Sequence, residues 1–140
     1  VKILRKWIKK VFPVMALFLV AGLILTRVFS PSGQLPTPEA TIHISEAEAY
    51  VGKVMEVCGE VKSARFIPDI GGQPTFLNFG KSHPNQIFTV VIWDDDRIKW
   101  QQLPELAYID QEICVTGRIE IHRDVPQIVI QSPEQVKSGN

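Results

Sequence analysis

Two segments of this chain follow nearly the same pattern. Val54-Met55-Glu56-Val57-Cys58-Gly59-Glu60-Val61 and Glu112-Ile113-Cys114-Val115-Thr116-Gly117-Arg118-Ile119 both alternate apolar with polar residues, and both place a glycine at the same phase. Alternation with period two marks a strand that buries one face. The second segment runs on, through a turn, into Pro126-Gln127-Ile128-Val129-Ile130. A strongly curved strand with a glycine at its bend, and a late partner closing onto it, is how a small barrel is built.

The rest of the chain supplies the remaining elements. Ser45 to Tyr50 reads as a helical turn with Ser45 as N-cap and Glu48 at the capping-box position. A first long strand is expected over Lys53 to Phe66, with Met55, Val57 and Val61 on one face and Glu56, Cys58 and Glu60 on the other. Pro68, Asp69, Gly71, Gly72 and Pro74 mark a loop. Thr75 to Phe79 and Ile87 to Trp93 read as the second and third strands. Asp94-Asp95-Asp96 then caps a short helix over roughly Arg97 to Leu103. Glu112 to His122 and Pro126 to Gln131 complete five strands, and Ser132 onward reads as a fraying tail. The order predicts an all-β fold, a five-stranded Greek-key OB-fold barrel with one short helix between the third and fourth strands. The domain is placed at residues 44–136 with a tail at 137–140.

Charge divides the chain. The formal net charge is zero, yet residues 1–44 hold six Lys/Arg against one acid, Glu39. The remainder carries nine bases and fourteen acids, a net of −5. A basic tip (1–10) precedes Val11 to Thr26, sixteen residues without a charge, enough for about 24 Å of helix. Counted through Phe29, with Arg27 snorkelling to the interface, the run is long enough to span a bilayer. It reads as a transmembrane signal-anchor at 11–29, N-terminus cytoplasmic and the barrel extracytoplasmic. Secretion after signal cleavage is the alternative. Residues 30–43, beginning SPSGQLPTPEAT, form a Pro-rich linker.

Single-stranded nucleic acid is the first ligand to consider for such a barrel, stacked on strand aromatics between cations. The aromatics are Phe66, Phe76, Phe79, Phe88 and Trp93; the cations are Lys53, Lys62, Arg65, Lys81 and Arg118. A small barrel needs bulk inside, so most of these rings are expected in the core. The candidate ligand-binding set is Arg65, Phe76, Phe79 and Lys81. The acidic balance argues against a phosphate-binding footprint and keeps an extracytoplasmic protein-interaction domain open as the second reading, with an envelope protein as partner.

Cys58 and Cys114 lie off the apolar phase of neighbouring strands, so they either form a disulfide or remain two separate thiols. No CxxC or HxxxH spacing exists, so no metal site is expected. His43, His83 and His122 are isolated from any nucleophile, and Asp94 to Asp96 reads as a solvated helix start. Neither a cofactor nor catalysis is expected.

Gln73 to Gly80 (QPTFLNFG), Pro84 to Trp93 (PNQIFTVVIW), Ile113 to Ile119 and Pro126 to Ile130 together resemble a bacterial OB-fold module. That module occurs alone behind a membrane or signal segment, or appended to thermonuclease-like secreted proteins. The resemblance covers Ile44 to Val136 and implies the fold and nucleic-acid binding, but no nuclease activity, because the nuclease motif is absent. The haem chaperone of cytochrome c maturation is similar in architecture only, for this chain lacks an HDxxY-type motif.

Overall fold

The two similar segments pair with each other. In the computed structural model, which describes residues 33–139, they belong to β2 (Val54–Phe66) and β5 (Glu112–His122), which run antiparallel from Val54↔Arg118 to Glu60↔Glu112. Val57 lies opposite Val115, its own counterpart in the repeat, so the ladder has an approximate twofold. Each glycine therefore faces a large apolar residue of the other copy: Gly59 opposite Ile113, Gly117 opposite Met55. The glycines make room rather than a bend. A β-carbon on Gly59 would lie 2.6 Å from Ile44 Cγ2, and one on Gly117 would lie 2.4 Å from Ile128 Cγ2. The register irregularity of β2 falls instead between Val61 and Ser63.

Past that irregularity β2 leaves β5 and pairs with β3 (Thr75–Phe79), which pairs with β4 (Phe88–Ile92). β4 lies parallel to β6 (Val125–Val129), and β6 returns antiparallel to β5. The pairings thus run β2-β3-β4-β6-β5 and back to β2, a ring. Two short strands extend it. β1 (Thr41–His43) lies parallel to β2, and β7 (Val136–Ser138) lies antiparallel to β5, giving a mostly β structure with seven strands.

Inside the ring are Met55, Val57, Leu77, Phe79, Phe88 and Val115, all essentially fully buried. Phe79 and Phe88 meet edge to face, centroids 5.5 Å apart. The 3-10 helix Ile44–Tyr50 lies against β2, β4 and β6 and adds Ile44 and Ala47 to the core.

Several boundaries differ from expectation. His43, not Ser45, caps the 3-10 helix, with Glu46 closing the capping box, because β1 pairing holds His43 extended. The sheet thus begins at Thr41, inside the expected linker. The tail does not fray at Ser132: Gln135 is buried and donates to the Thr116 carbonyl, and Val136 to Ser138 pair with β5. The single helix expected over Arg97 to Leu103 is two short helices, Asp94–Arg97 and Pro104–Ala107, since Pro104 starts a new turn. The basic tip and the membrane segment at 11–29 lie outside the described residues. Among the described residues, no helix is long and apolar enough to cross a membrane.

Candidate functional site

Strand phase decides what the ring offers to a ligand. Along β3, Thr75, Leu77 and Phe79 point inward, so Phe76 and Asn78 point outward. Along β4, Phe88, Val90 and Ile92 point inward, leaving Thr89 and Val91 outside. Register then assembles two rows across four strands. One is Ser63, Asn78, Thr89 and Gln127; the other is Arg65, Phe76, Val91 and Val129.

The polar row is closed. Asn78 donates through Nδ2 to Ser63 Oγ (3.2 Å), and Thr89 Oγ1 reaches Asn78 Oδ1 (3.5 Å). The connection after β3 folds over this row. His83 N donates to Ser63 Oγ (3.0 Å), and Ser82 Oγ donates to the Lys62 carbonyl (3.3 Å). Asn78 and Thr89 are consequently buried although they lie outside the ring. The second row stays open at its β2 side, where Arg65 is exposed and Phe76 half-buried. Beyond it, Trp93 keeps 40% of its surface and leaves no room for a β-carbon at Gly72, 2.9 Å from its ring.

The candidate set is therefore split. Arg65 and Phe76 are direct cross-strand neighbours. Phe79 is in the core and cannot join them. It lies three residues from Phe76, and an odd separation on an unbulged strand points the two rings to opposite faces. Lys81 is exposed, past Gly80, at the other end of β3 from Phe76. Of the other aromatics, Phe88 is buried, and Phe66 lies under the Arg97 guanidinium, 4.2 Å from its ring centroid. Lys53 and Lys62 are paired with Glu39 and Glu60, and Arg118 bonds the Gly52 carbonyl. Among the described cations, Arg65, Lys81, Arg118 and Arg123 have no carboxylate partner. Val91, Val129 and the polar row were not singled out from sequence. Their signal was present in the off-core phase of TFLNF and FTVVI, once Leu77 and Val90 are taken as inward.

The opposite surface, over β2 and β5, is bonded internally. A disulfide joins Cys58 to Cys114, which face each other in the ladder. Glu56 accepts from Lys137 Nζ (2.9 Å), Thr41 Oγ1 (3.0 Å) and Thr116 Oγ1 (3.5 Å), which ties β1, β2, β5 and β7 together. The Lys137 hydrogen bond holds the Glu56 carboxyl below its ordinary value, against the opposing effect of partial burial, and the two hydroxyls add to it. Glu56, Cys58 and Cys114 crowd together as metal ligands would. The sulfurs are spent on each other, however, and offer no thiolate to a cation. A third polar cluster braces the connection between β4 and β5. Arg97 donates twice to Glu105 (2.6 and 2.8 Å) and once to Thr75 Oγ1 (2.6 Å). The mutual hydrogen bonds raise the Arg97 guanidinium and lower the Glu105 carboxyl.

No family model and no curated protein matches the sequence. Among solved structures, a crystal structure assigned as an aspartyl-tRNA synthetase from Leishmania major Friedlin is similar over 78% of this chain and 22% of that one. The identity is 10% and the TM-score 0.44. The chain thus spans about a fifth of that protein's length, and we base no assignment on the likeness.

Proposed function

We propose that this chain is an OB-fold binding module that takes single-stranded nucleic acid where the β2–β3 surface stays open, at Arg65 and Phe76, since the outward residues of β4 are buried. The ring order β2-β3-β4-β6-β5, with β4 parallel to β6 and short helices between β4 and β5, supports the OB-fold reading. The observation that carries the ligand is the pairing of an exposed Arg65, free of any described carboxylate, with the half-buried ring of Phe76. A base can stack on such a ring while the guanidinium meets its phosphate. Lys81, likewise unpaired, extends the positive charge toward the next nucleotides. The module binds and does not catalyse. It is held to a membrane by residues 11–29 with the barrel extracytoplasmic, a placement that rests on the sequence alone.

Fluorescence anisotropy tests this reading on the full chain in neutral-lipid nanodiscs, with labelled single-stranded DNA and RNA and duplex DNA. Binding to single strands should weaken steeply with salt. Phe76→Ala should cost about 1–3 kcal/mol, roughly 5- to 150-fold in Kd. Arg65→Gln should weaken binding and flatten the salt slope by about one. Absence of binding even at low salt would overturn the reading.

A second reading, a protein-interaction domain with an envelope partner, is favoured by the acidic balance and by the exposed apolar side chains near the short helices.

A further inference from the structure

The connection between β4 and β5 presents apolar side chains to solvent. Trp93, Ile98, Leu103 and Leu106 are 40%, 86%, 51% and 69% exposed, four of the nine exposed large hydrophobic residues described. Leaving such side chains in water forgoes their burial; Ile98 and Leu103 line one groove, and contiguous apolar exposure marks interaction surfaces. The segment is rigidly braced all the same. Besides the Arg97 bonds to Glu105 and Thr75, Trp100 Nε1 donates to Tyr108 Oη (3.1 Å). Lys99 Nζ bonds both Asp96 (2.6 Å) and the Gln131 carbonyl (2.9 Å). The struts hold Ile98, Trp100, Leu103 and Pro104 along a groove of about 590 Å³ that Asp94, Asp95 and the Glu105-paired Arg97 also line.

Charge identifies the occupant. Both bases of the segment are consumed, Arg97 by Glu105 and Lys99 by Asp96. Asp94 and Asp95 have no ion-pair partner among the described residues and stay exposed. A neutral apolar partner would bury these carboxylates unpaired, which is costly, and a nucleic acid would meet them as like charge. We propose that the groove docks a peptide segment of a partner protein in which leucine-type side chains alternate with Lys or Arg. The apolar side chains fill the space over Ile98, Trp100 and Leu103, and the cations meet Asp94 and Asp95. This site is separate from Arg65 and Phe76, and it stands whether or not those residues bind nucleic acid.

The test uses the full chain in neutral-lipid nanodiscs, with empty discs as blank, and a fluorescein-labelled twelve-residue peptide of alternating Leu and Lys. A Leu/Glu peptide is the charge control. The Leu/Lys peptide should bind and the Leu/Glu peptide should not. Ile98→Ser with Leu103→Ser should weaken binding about tenfold or more. Because both side chains are exposed already, this variant keeps its fold, verified by an unchanged urea midpoint. Asp94→Asn with Asp95→Asn should cost about threefold at low salt and nothing at high salt. Phe76→Ala should leave peptide binding unchanged. Equal binding of both peptides, no binding, or indifference to the Ile98/Leu103 change would overturn the proposal. So would sedimentation showing that this change dissolves a self-association, for the occupant would then be a second copy.

Discussion

One strand, β2, serves two surfaces that behave differently. In its N-terminal half the outward residues Glu56 and Cys58 are fully engaged, by three donors and a disulfide, and short strands flank the pair β2–β5 on both sides. In its C-terminal half the outward Arg65 has no carboxylate partner and faces a half-exposed ring. Both halves alternate, but the phase inverts at the irregularity between Val61 and Ser63, so that even-numbered residues face outward before it and Ser63 and Arg65 after it. The neighbours differ: β1, β5 and β7 bring the Thr41 and Thr116 hydroxyls, Cys114 and Lys137 to one surface, whereas β3 and β4 bring Phe76 and the buried Val91 to the other. A strand's polar phase becomes structure where partners saturate it and stays available where they do not.

The comparison breaks most sharply at the inward–outward boundary of β3. Phe79→Ala should lower stability by about 3–5 kcal/mol, because the ring is fully enclosed against Phe88. Phe76→Ala should spare stability by comparison and act on binding. Urea midpoints of both variants check this, and equal losses would mean that Phe76 is structural. The next largest effect belongs to the saturated surface. Cys58 and Cys114 are 56 residues apart in sequence. Their joint replacement by Ser should cost about 4 kcal/mol through the freed unfolded chain, with binding at Arg65 and Phe76 unchanged wherever the variant is folded. Loss of that binding in a folded variant would show that the two surfaces are coupled.

Acid supplies the smallest effect. Glu56 and Glu105 titrate below their ordinary value of 4.5 in the folded chain. A carboxyl depressed by folding contributes stability above its unfolded value, and the contribution is lost as pH falls through the lower folded one. Stability should therefore decline below about pH 4.5, and Glu105→Gln should flatten that decline, at a cost on the order of 1 kcal/mol near neutrality. A melting series from pH 7 to pH 3 reads both. An unchanged acid slope in Glu105→Gln would remove the Arg97–Glu105 pair from the account.

Much of the ring was legible in the chain, for a definable reason. Where one face of a strand is buried, period-two alternation writes itself into the residues, and β2, β3, β4 and β5 were placed to within one residue at every end. Short elements fared worse. β1, β7 and the two helices near residue 100 hold too few residues to show a period, and they exist because long strands lend them partners. The grouping of the candidate residues was only partly legible. Arg65 and Phe76 were named as candidates from residue type alone, and it is register that makes them neighbours; grouping Phe79 with them ignored the parity that separates them.

The sequence by itself determined the order of the long strands, the inward phase of β2 up to Val61, and the segregation of acidic from basic residues, since these depend only on local periodicity and composition. Only the tertiary structure decided that the two repeated segments pair with each other, that their glycines admit Ile44 and Ile128, and that Cys58 meets Cys114. It also decided which cations find carboxylates and which do not. The physical reason is that a strand's residues specify which way each side chain points, whereas register across the ring specifies what it points at.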